Sequence, residues 1–92
     1  MIKQKENGFY IGDINNPDAE ITFVETDIIT VDHTYVSDSL RGQGIAWDLL
    51  SKVIEYSKQK RKKILPICSY AKVKLSDEKY KDIVVNDPRH DC

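Results

Sequence analysis

No stretch of this 92-residue chain approaches the ~20 consecutive apolar residues that a membrane-spanning helix needs, and no signal-peptide pattern precedes the first expected strand. A soluble cytoplasmic protein with no membrane partner is the expectation. Cysteine is scarce. Cys68 and Cys92 make no disulfide framework, and a reducing compartment leaves both as thiols. A strong charge of either sign is missing too: at a net charge of −1 the chain as a whole exerts little pull on nucleic acid or acidic membrane, so no nucleic-acid partner is expected. There is no linker, repeat or low-complexity segment. What remains, 40% apolar and 32% charged residues, describes one globular domain over residues 1–92, near the lower size limit for a core without staples. Residues 86–92 are polar and expected to form a loose tail.

The pattern predicts an α/β (α+β) order. Phe9, Tyr10 and Ile11 between two glycines read as a short strand, and Asn15-Asn16-Pro17-Asp18 as a turn. Ala19, Ile21 and Phe23 alternate with Glu20 and Thr22, which gives a second, half-buried strand. A third covers 28–36, with Ile29, Val31, His33 and Tyr35 on one face and Thr30, Asp32 and Thr34 on the other. Together these form an antiparallel three-strand meander. Ile45, Ala46, Leu49, Leu50, Val53, Ile54 and Ser57 recur at helical spacing as one buried stripe. Asp48 and Lys52 lie off it as an i,i+4 pair, and Trp47 also falls off it. A fourth strand over 63–68 and a second helix over about 69–81 follow, the latter marked by Tyr70, Val73, Asp77, Tyr80 and Val84 on one side. Strand, helix, strand is a crossover, so strands 28–36 and 63–68 should be parallel.

The most informative segment is Arg41-Gly42-Gln43-Gly44-Ile45-Ala46, between the third strand and the first helix. A glycine-rich turn there leaves backbone N–H groups unpaired at the positive end of the helix dipole, a site suited to phosphate or pyrophosphate. A side chain in place of glycine would hold the ligand away from those amides. A Walker A loop is excluded because Ile45 and Ala46 stand where Lys and Ser or Thr are required. The dinucleotide fingerprint fails at its third glycine, which is Trp47.

Arg-x-x-Gly-x-Ala, read as Arg41, Gly44 and Ala46, resembles the pyrophosphate signature of the GNAT superfamily of N-acetyltransferases. The string 31–36 (Val-Asp-His-Thr-Tyr-Val), the loop, and Pro66-Ile67-Cys68-Ser69-Tyr70 are similar to one branch, the small single-domain GNAT-like proteins with a cysteine near the acetyl group. The resemblance covers roughly residues 8 to 85. It implies a minimal GNAT fold and acetyl-CoA or coenzyme A as co-substrate, with Arg41, Gly42, Gln43, Gly44, Ile45 and Ala46 around the pyrophosphate. Val36 would offer main-chain bonds to pantetheine, which inserts where the two parallel strands splay. Pro66, awkward in a central strand, is tolerable where the ladder is already broken. Residues 13–18 are too few for the helices that usually wrap the acceptor, so an acceptor would be large and dock from outside, or there is none.

Cys68 precedes the second helix, whose N-terminus favours thiolate and nucleophilicity, although free cysteines are commonly inert small hydrophobes. The resemblance places Cys68 by the thioester. His33 suits a base for Cys68 or for an attacking amine, and equally a histidine that orients its neighbours in the sheet. Tyr70 does not match the family's acid position well and reads as a packing residue. The basic run 58–63 ends the first helix, where cations offset the dipole, and reads as solvated. His33, Cys68, His90 and Cys92 lack the paired close ligands of a zinc site, so no metal is expected. Two functions compete: an acetyl-CoA-dependent N-acetyltransferase acting on an amine, expected on a macromolecule, through Cys68 or directly; and a non-catalytic CoA-binding module. A polyanion-binding domain recruited through 58–63 has less behind it.

Overall fold

A computed structural model describes residues 1–85. Five strands form one sheet in the order β1 (Lys3–Lys5), β2 (Gly8–Asp13), β3 (Asn16–Glu25), β4 (Ile29–Val36) and β5 (Ile64–Pro66). The first four are antiparallel neighbours; β4 and β5 are parallel, joined by α1 (Ile45–Lys60). A short helix, α2 (Ser69–Lys74), follows β5. The expected meander, glycine-loop helix and parallel strand are all present. Among the described residues no helix is long and apolar enough to cross a membrane.

Four local departures have physical causes. β1 carries Lys3, Gln4 and Lys5, with no apolar alternation to announce it, and pairs along the edge of β2. A lysine-rich strand suits an edge because charge discourages further pairing. The turn between β2 and β3 is only Ile14 and Asn15, closed by Asn15 N–H donating to Asp13 Oδ1 at 2.9 Å. Asn16, Pro17 and Asp18 therefore belong to β3. Pro17 pairs with Gly12 beside a register shift, where its missing N–H disturbs little. The second helix stops at Lys74 instead of near 81 because Ser76 and Asp77 offer the backbone other partners: Ser76 Oγ donates to Val73 O at 2.7 Å, and Asp77 accepts from Lys79 N at 3.1 Å to cap a 3₁₀ turn, Glu78–Tyr80. The chain then returns beside β5, where Ile64 N–H donates to Ile83 O and Val85 N–H to Ile64 O. Val84, expected on the helix, bridges Ile64.

Both helices pack on one face of the sheet. Ala19, Ile21, Phe23, Ile29, Val31 and Ile64 from the strands meet Leu49, Leu50, Val53 and Ile54 of α1 and Ala71 and Leu75 around α2. The stripe on α1 is buried as its periodicity predicts, down to Ser57, whose hydroxyl donates to Ile54 O at 2.7 Å. Lys52 pairs with Glu55 at 3.9 Å, not with Asp48. Trp47 is half-buried against Tyr80. The helix ends at Arg61 in the left-handed region (φ 57°), and Lys62 turns inward to Glu25 and to Thr26 O. So the basic run 58–63 is not wholly solvated.

Candidate active site

One extra residue in β4 organises the site. Thr22 pairs with His33 and Phe23 with Val31, so Asp32 is a bulge and the alternation of β4 changes phase. Ile29 and Val31 face the core, as expected. Beyond the bulge Thr34, opposite Ile21, and Val36, opposite Ala19, take the core face. His33 and Tyr35 pass to the other face, contrary to simple alternation. His33 is exposed, with Nε2 3.8 Å from Glu20 Oε2.

The bulge also re-aims the backbone. Ser37 N–H donates to Asp18 O, which makes Tyr35 and His33 the residues bonded to β3 in this antiparallel pair. The N–H and C=O groups of Thr34 and Val36 then point the other way, toward where β5 would continue. But β5 pairs only with Ile29, Thr30 and Val31. Its ladder closes with both Ile67 N–H and Cys68 N–H donating to Val31 O, at 2.9 and 3.0 Å. Past that point β4 has an edge without a strand partner among the described residues. Pro66 sits at the last rung, where a missing donor costs little.

At the end of this open edge lies the glycine loop. Gly42 and Gly44 hold φ of 84° and 75°, which side-chain-bearing residues rarely adopt, and a Cβ on either would meet nothing within 4 Å. Conformation, not crowding by the protein, thus demands glycine here, and the space above stays open to a ligand. The first intrahelical bond of α1 is Asp48 N–H to Gly44 O. Among the described residues the N–H groups of Gly42, Gln43, Gly44, Ile45, Ala46 and Trp47 find no protein acceptor, and α1 has no side-chain cap. The loop is braced by its own side chains. Arg41 Nε donates to Val36 O at 3.1 Å, Arg41 Nη1 lies 3.4 Å from Asp38 Oδ1, and Gln43 Nε2 donates to Ser39 O at 3.4 Å. The Val36 carbonyl is therefore already engaged, which leaves its N–H and both groups of Thr34 for a ligand.

A cleft of about 380 Å³ opens over the loop, between the first turn of α1 and Tyr70 and Lys74 of α2. Val36, Arg41, Gly42, Gly44, Ile45 and Ala46 all line it; Gln43 does not. Tyr70, read from sequence as packing, forms part of its wall. Burial chiefly, then the charges of Asp48 and Cys68, raises the phenol above its ordinary value, so it carries its proton at neutral pH. Cys68 caps α2 and is half-buried; its thiol donates to Thr34 Oγ1 at 3.3 Å. Neither Cys68 nor Thr34 lines the cleft. Thr34 lies about 7 Å beyond Val36 along the open edge, at ~3.3 Å per residue. α2 has only six residues, so the dipole expected to favour a Cys68 thiolate is short. The structure thus joins Cys68 to Thr34, which the expected alternation had turned away, and sets His33 on the opposite face. His90 and Cys92 lie outside the described residues.

The family model of GCN5-related N-acetyltransferases matches residues 8–83, which takes in the loop, the open edge and Cys68. The chain belongs to this family. The solution NMR structure of a GCN5-like protein from Staphylococcus aureus is similar throughout: 46% identity over 98% of this chain and 92% of that one, with a TM-score of 0.76. The comparison with curated proteins found no match. Within the matched residues this chain combines the splay of β4 from β5 and the glycine loop with a two-residue link between β2 and β3.

A larger concavity, about 680 Å³, lies at the other end of the sheet beside Phe23, Glu25 and Lys62. There Lys62 Nζ contacts Glu25 Oε2 at 2.9 Å and Tyr56 OH donates to Glu25 Oε1, so those polar groups already satisfy one another. The loop cleft, with its unpaired amides, is the better candidate.

Proposed function

We propose that the protein is an acetyl-CoA-dependent N-acetyltransferase of the cytoplasm, passing an acetyl group to an amine on a macromolecule by way of Cys68. The observation that carries this reading is that two sets of unpaired backbone groups, the loop amides (42–47) and the open edge of β4, flank one short stretch of chain, with the one thiol among the described residues bonded to Thr34 on that edge. The loop amides suit a pyrophosphate, and the N–H of Val36 with both backbone groups of Thr34 suits the amides of pantetheine, as a strand edge takes a peptide.

The chemistry balances without another reactant. The Cys68 thiol gives its proton to solvent and its sulfur attacks the thioester carbonyl; a new C–S bond forms, the bond between the acetyl carbon and the CoA sulfur breaks, and the departing thiolate takes a proton from Tyr70, whose phenolate recovers one from solvent. An amine nitrogen then attacks the acyl-cysteine, forms the amide and returns a proton to the sulfur. His33, exposed beside Glu20 on the far face of the sheet, suits a base for an amine arriving from that side rather than for Cys68. The two-residue β2–β3 link leaves no lid over that approach, which suits a large acceptor docking from outside.

The test is intact mass after incubation with acetyl-CoA, for wild type, Cys68→Ala and Cys92→Ala. One added acetyl group, lost only in Cys68→Ala, supports the covalent route. Normal amine acetylation by Cys68→Ala would sink it in favour of direct attack. CoA binding with no transfer to any amine would leave a coenzyme-binding module.

A further inference from the structure

Cys68 shares the first turn of α2 with a lysine. The Lys72 N–H donates to Cys68 O at 2.9 Å, so one helical turn separates the two residues. Ala71 and Leu75 are buried and mark the side of α2 that faces the sheet. At about 100° per residue, Cys68 and Lys72 fall one above the other along the margin of that side, Cys68 half-buried and Lys72 exposed. Residues four apart on a helix hold their Cβ atoms about 5–6 Å from each other. Helical side chains also lean toward the N-terminus, so Lys72 leans over the turn that Cys68 opens. Its flexible four-carbon stem lets the amine close the remaining gap to the thiol. Among the described residues the Lys72 ammonium has no carboxylate within ion-pairing distance and no aromatic ring beneath it. Its neighbour Lys74 is drawn elsewhere, 5.9 Å from the Tyr70 ring.

We propose that Lys72 is itself an acetyl acceptor: an acetyl group carried by Cys68 passes to Lys72 Nζ, and the protein is modified by its own activity. The inference rests on the Cys68 route above and names one amine that the route serves. The step balances. The Lys72 ammonium gives one proton to solvent, and the neutral nitrogen attacks the carbonyl carbon of the acyl-cysteine. A C–N bond forms, the C–S bond breaks, and a second proton passes from nitrogen to the departing sulfur, which is a free thiol again. An amide replaces a thioester, so the transfer runs one way. An amine held one helical turn away acts at a far higher effective concentration than one that must diffuse in. Once acetylated, Lys72 has lost its charge and its nucleophilic nitrogen, so each molecule is marked once while Cys68 is free to be loaded again.

The test incubates the full chain with acetyl-CoA as wild type, Cys68→Ala and Lys72→Arg. Intact mass is read before and after neutral hydroxylamine, which removes acetyl groups from sulfur and leaves those on nitrogen, and peptide mapping places what remains. Wild type should carry a hydroxylamine-resistant acetyl group on Lys72. In Cys68→Ala that group should appear at least roughly ten-fold more slowly, because the held donor is gone. Lys72→Arg keeps the positive charge at an exposed position but offers no acceptor amine there, so the labile acetyl group on Cys68 should last several-fold longer than in wild type. A labile acetyl group on Cys68 in Lys72→Arg, with Lys72 unmodified in wild type, would overturn this inference and leave the Cys68 route standing. Acetylation of Lys72 at the wild-type rate in Cys68→Ala would overturn it as well, since the group would then come straight from the coenzyme. No acetyl group on Cys68 or Lys72 in any of the three proteins would sink the Cys68 route, and this inference with it.

Discussion

At one end of β4, Ile29 and Val31 are fully buried, flanked by β3 on one side and β5 on the other, and the neighbouring polar groups are all matched. Phe9, Phe23 and Tyr56 form an aromatic box there, with ring centroids 5.3–6.5 Å apart, and Tyr56, Glu25 and Lys62 bind one another at its rim. At the other end, seven or so ångströms past the bulge at Asp32, Thr34 and Val36 have, among the described residues, no strand beside them and the loop amides no acceptor. One strand thus holds the fold at its first half and offers itself to a ligand at its second. The bulge is what permits both, since without it Thr34 would face away from Cys68 and its backbone would bond to β3.

The two ends should respond oppositely to mutation. Phe23→Ala at the closed end removes a ring that is 2% exposed, and should cost about 3–5 kcal/mol in urea unfolding. What folded protein remains should bind acetyl-CoA with little change in affinity. Gly44→Ala at the open end should do the reverse. Its φ of 75° imposes about 1–2 kcal/mol of strain on a residue with a Cβ, while acetyl-CoA affinity falls by roughly ten-fold or more as the amides lose their alignment. Arg41→Ala should weaken binding less, because its side chain braces Val36 O and leaves the amides in place. If Phe23→Ala proved the weaker binder of the two at matched folded concentration, the division of labour along β4 would be wrong.

Much of this was legible in the sequence because it is written in periodicity and in glycine. The stripe on α1 and the loop at Gly42 and Gly44 need only local chemistry, and the crossover follows from their order. The bulge at Asp32 was not legible. A one-residue change of register leaves no compositional mark; alternation alone put His33 with Val31, and only pairing with β3 reveals the slip. That single error hid Thr34 and placed His33 on the same face as the core. Lys62 and Trp47 were missed for a related reason: their partners, Glu25 and Tyr80, stand more than thirty residues away in sequence. β1 has nothing but lysine and glutamine to declare itself, and its pairing depends on β2 being there first.

The closed end also carries a pH signature. The hydrogen bond from Tyr56 first, and Lys62 second, holds the Glu25 carboxyl below its ordinary value of 4.5. A lowered carboxyl contributes stability that is present above the ordinary value and disappears as pH falls through the lowered one. Tyr56 is raised above 10 by the same bond, and its contribution is kept below 10 and lost as pH climbs through the raised value. Glu25→Gln should therefore cost about 1 kcal/mol near neutrality, since glutamine still accepts a hydrogen bond but pairs no charge with Lys62. The difference from wild type should shrink as the pH drops through the acid range. A gap that widened in acid would assign the stabilisation elsewhere.

The smallest expected effect tests the open end most sharply. Thr34 touches Cys68 only because of the bulge, and its hydroxyl, which accepts from the thiol at 3.3 Å, can turn to donate once the sulfur is ionised. Thr34→Val keeps the branched shape and removes that donor, while Thr34→Ser keeps the donor and removes a methyl. If the hydroxyl supports the reactive sulfur, the valine variant should react with iodoacetamide roughly three- to five-fold more slowly than wild type at neutral pH, and the serine variant should stay near wild type. A loss of packing would order them the other way, since serine leaves the larger void beside Ile21. Equal rates in all three would mean that Thr34 merely fills space, and the bulge would then matter through the backbone it turns outward, not through the side chain it brings to Cys68.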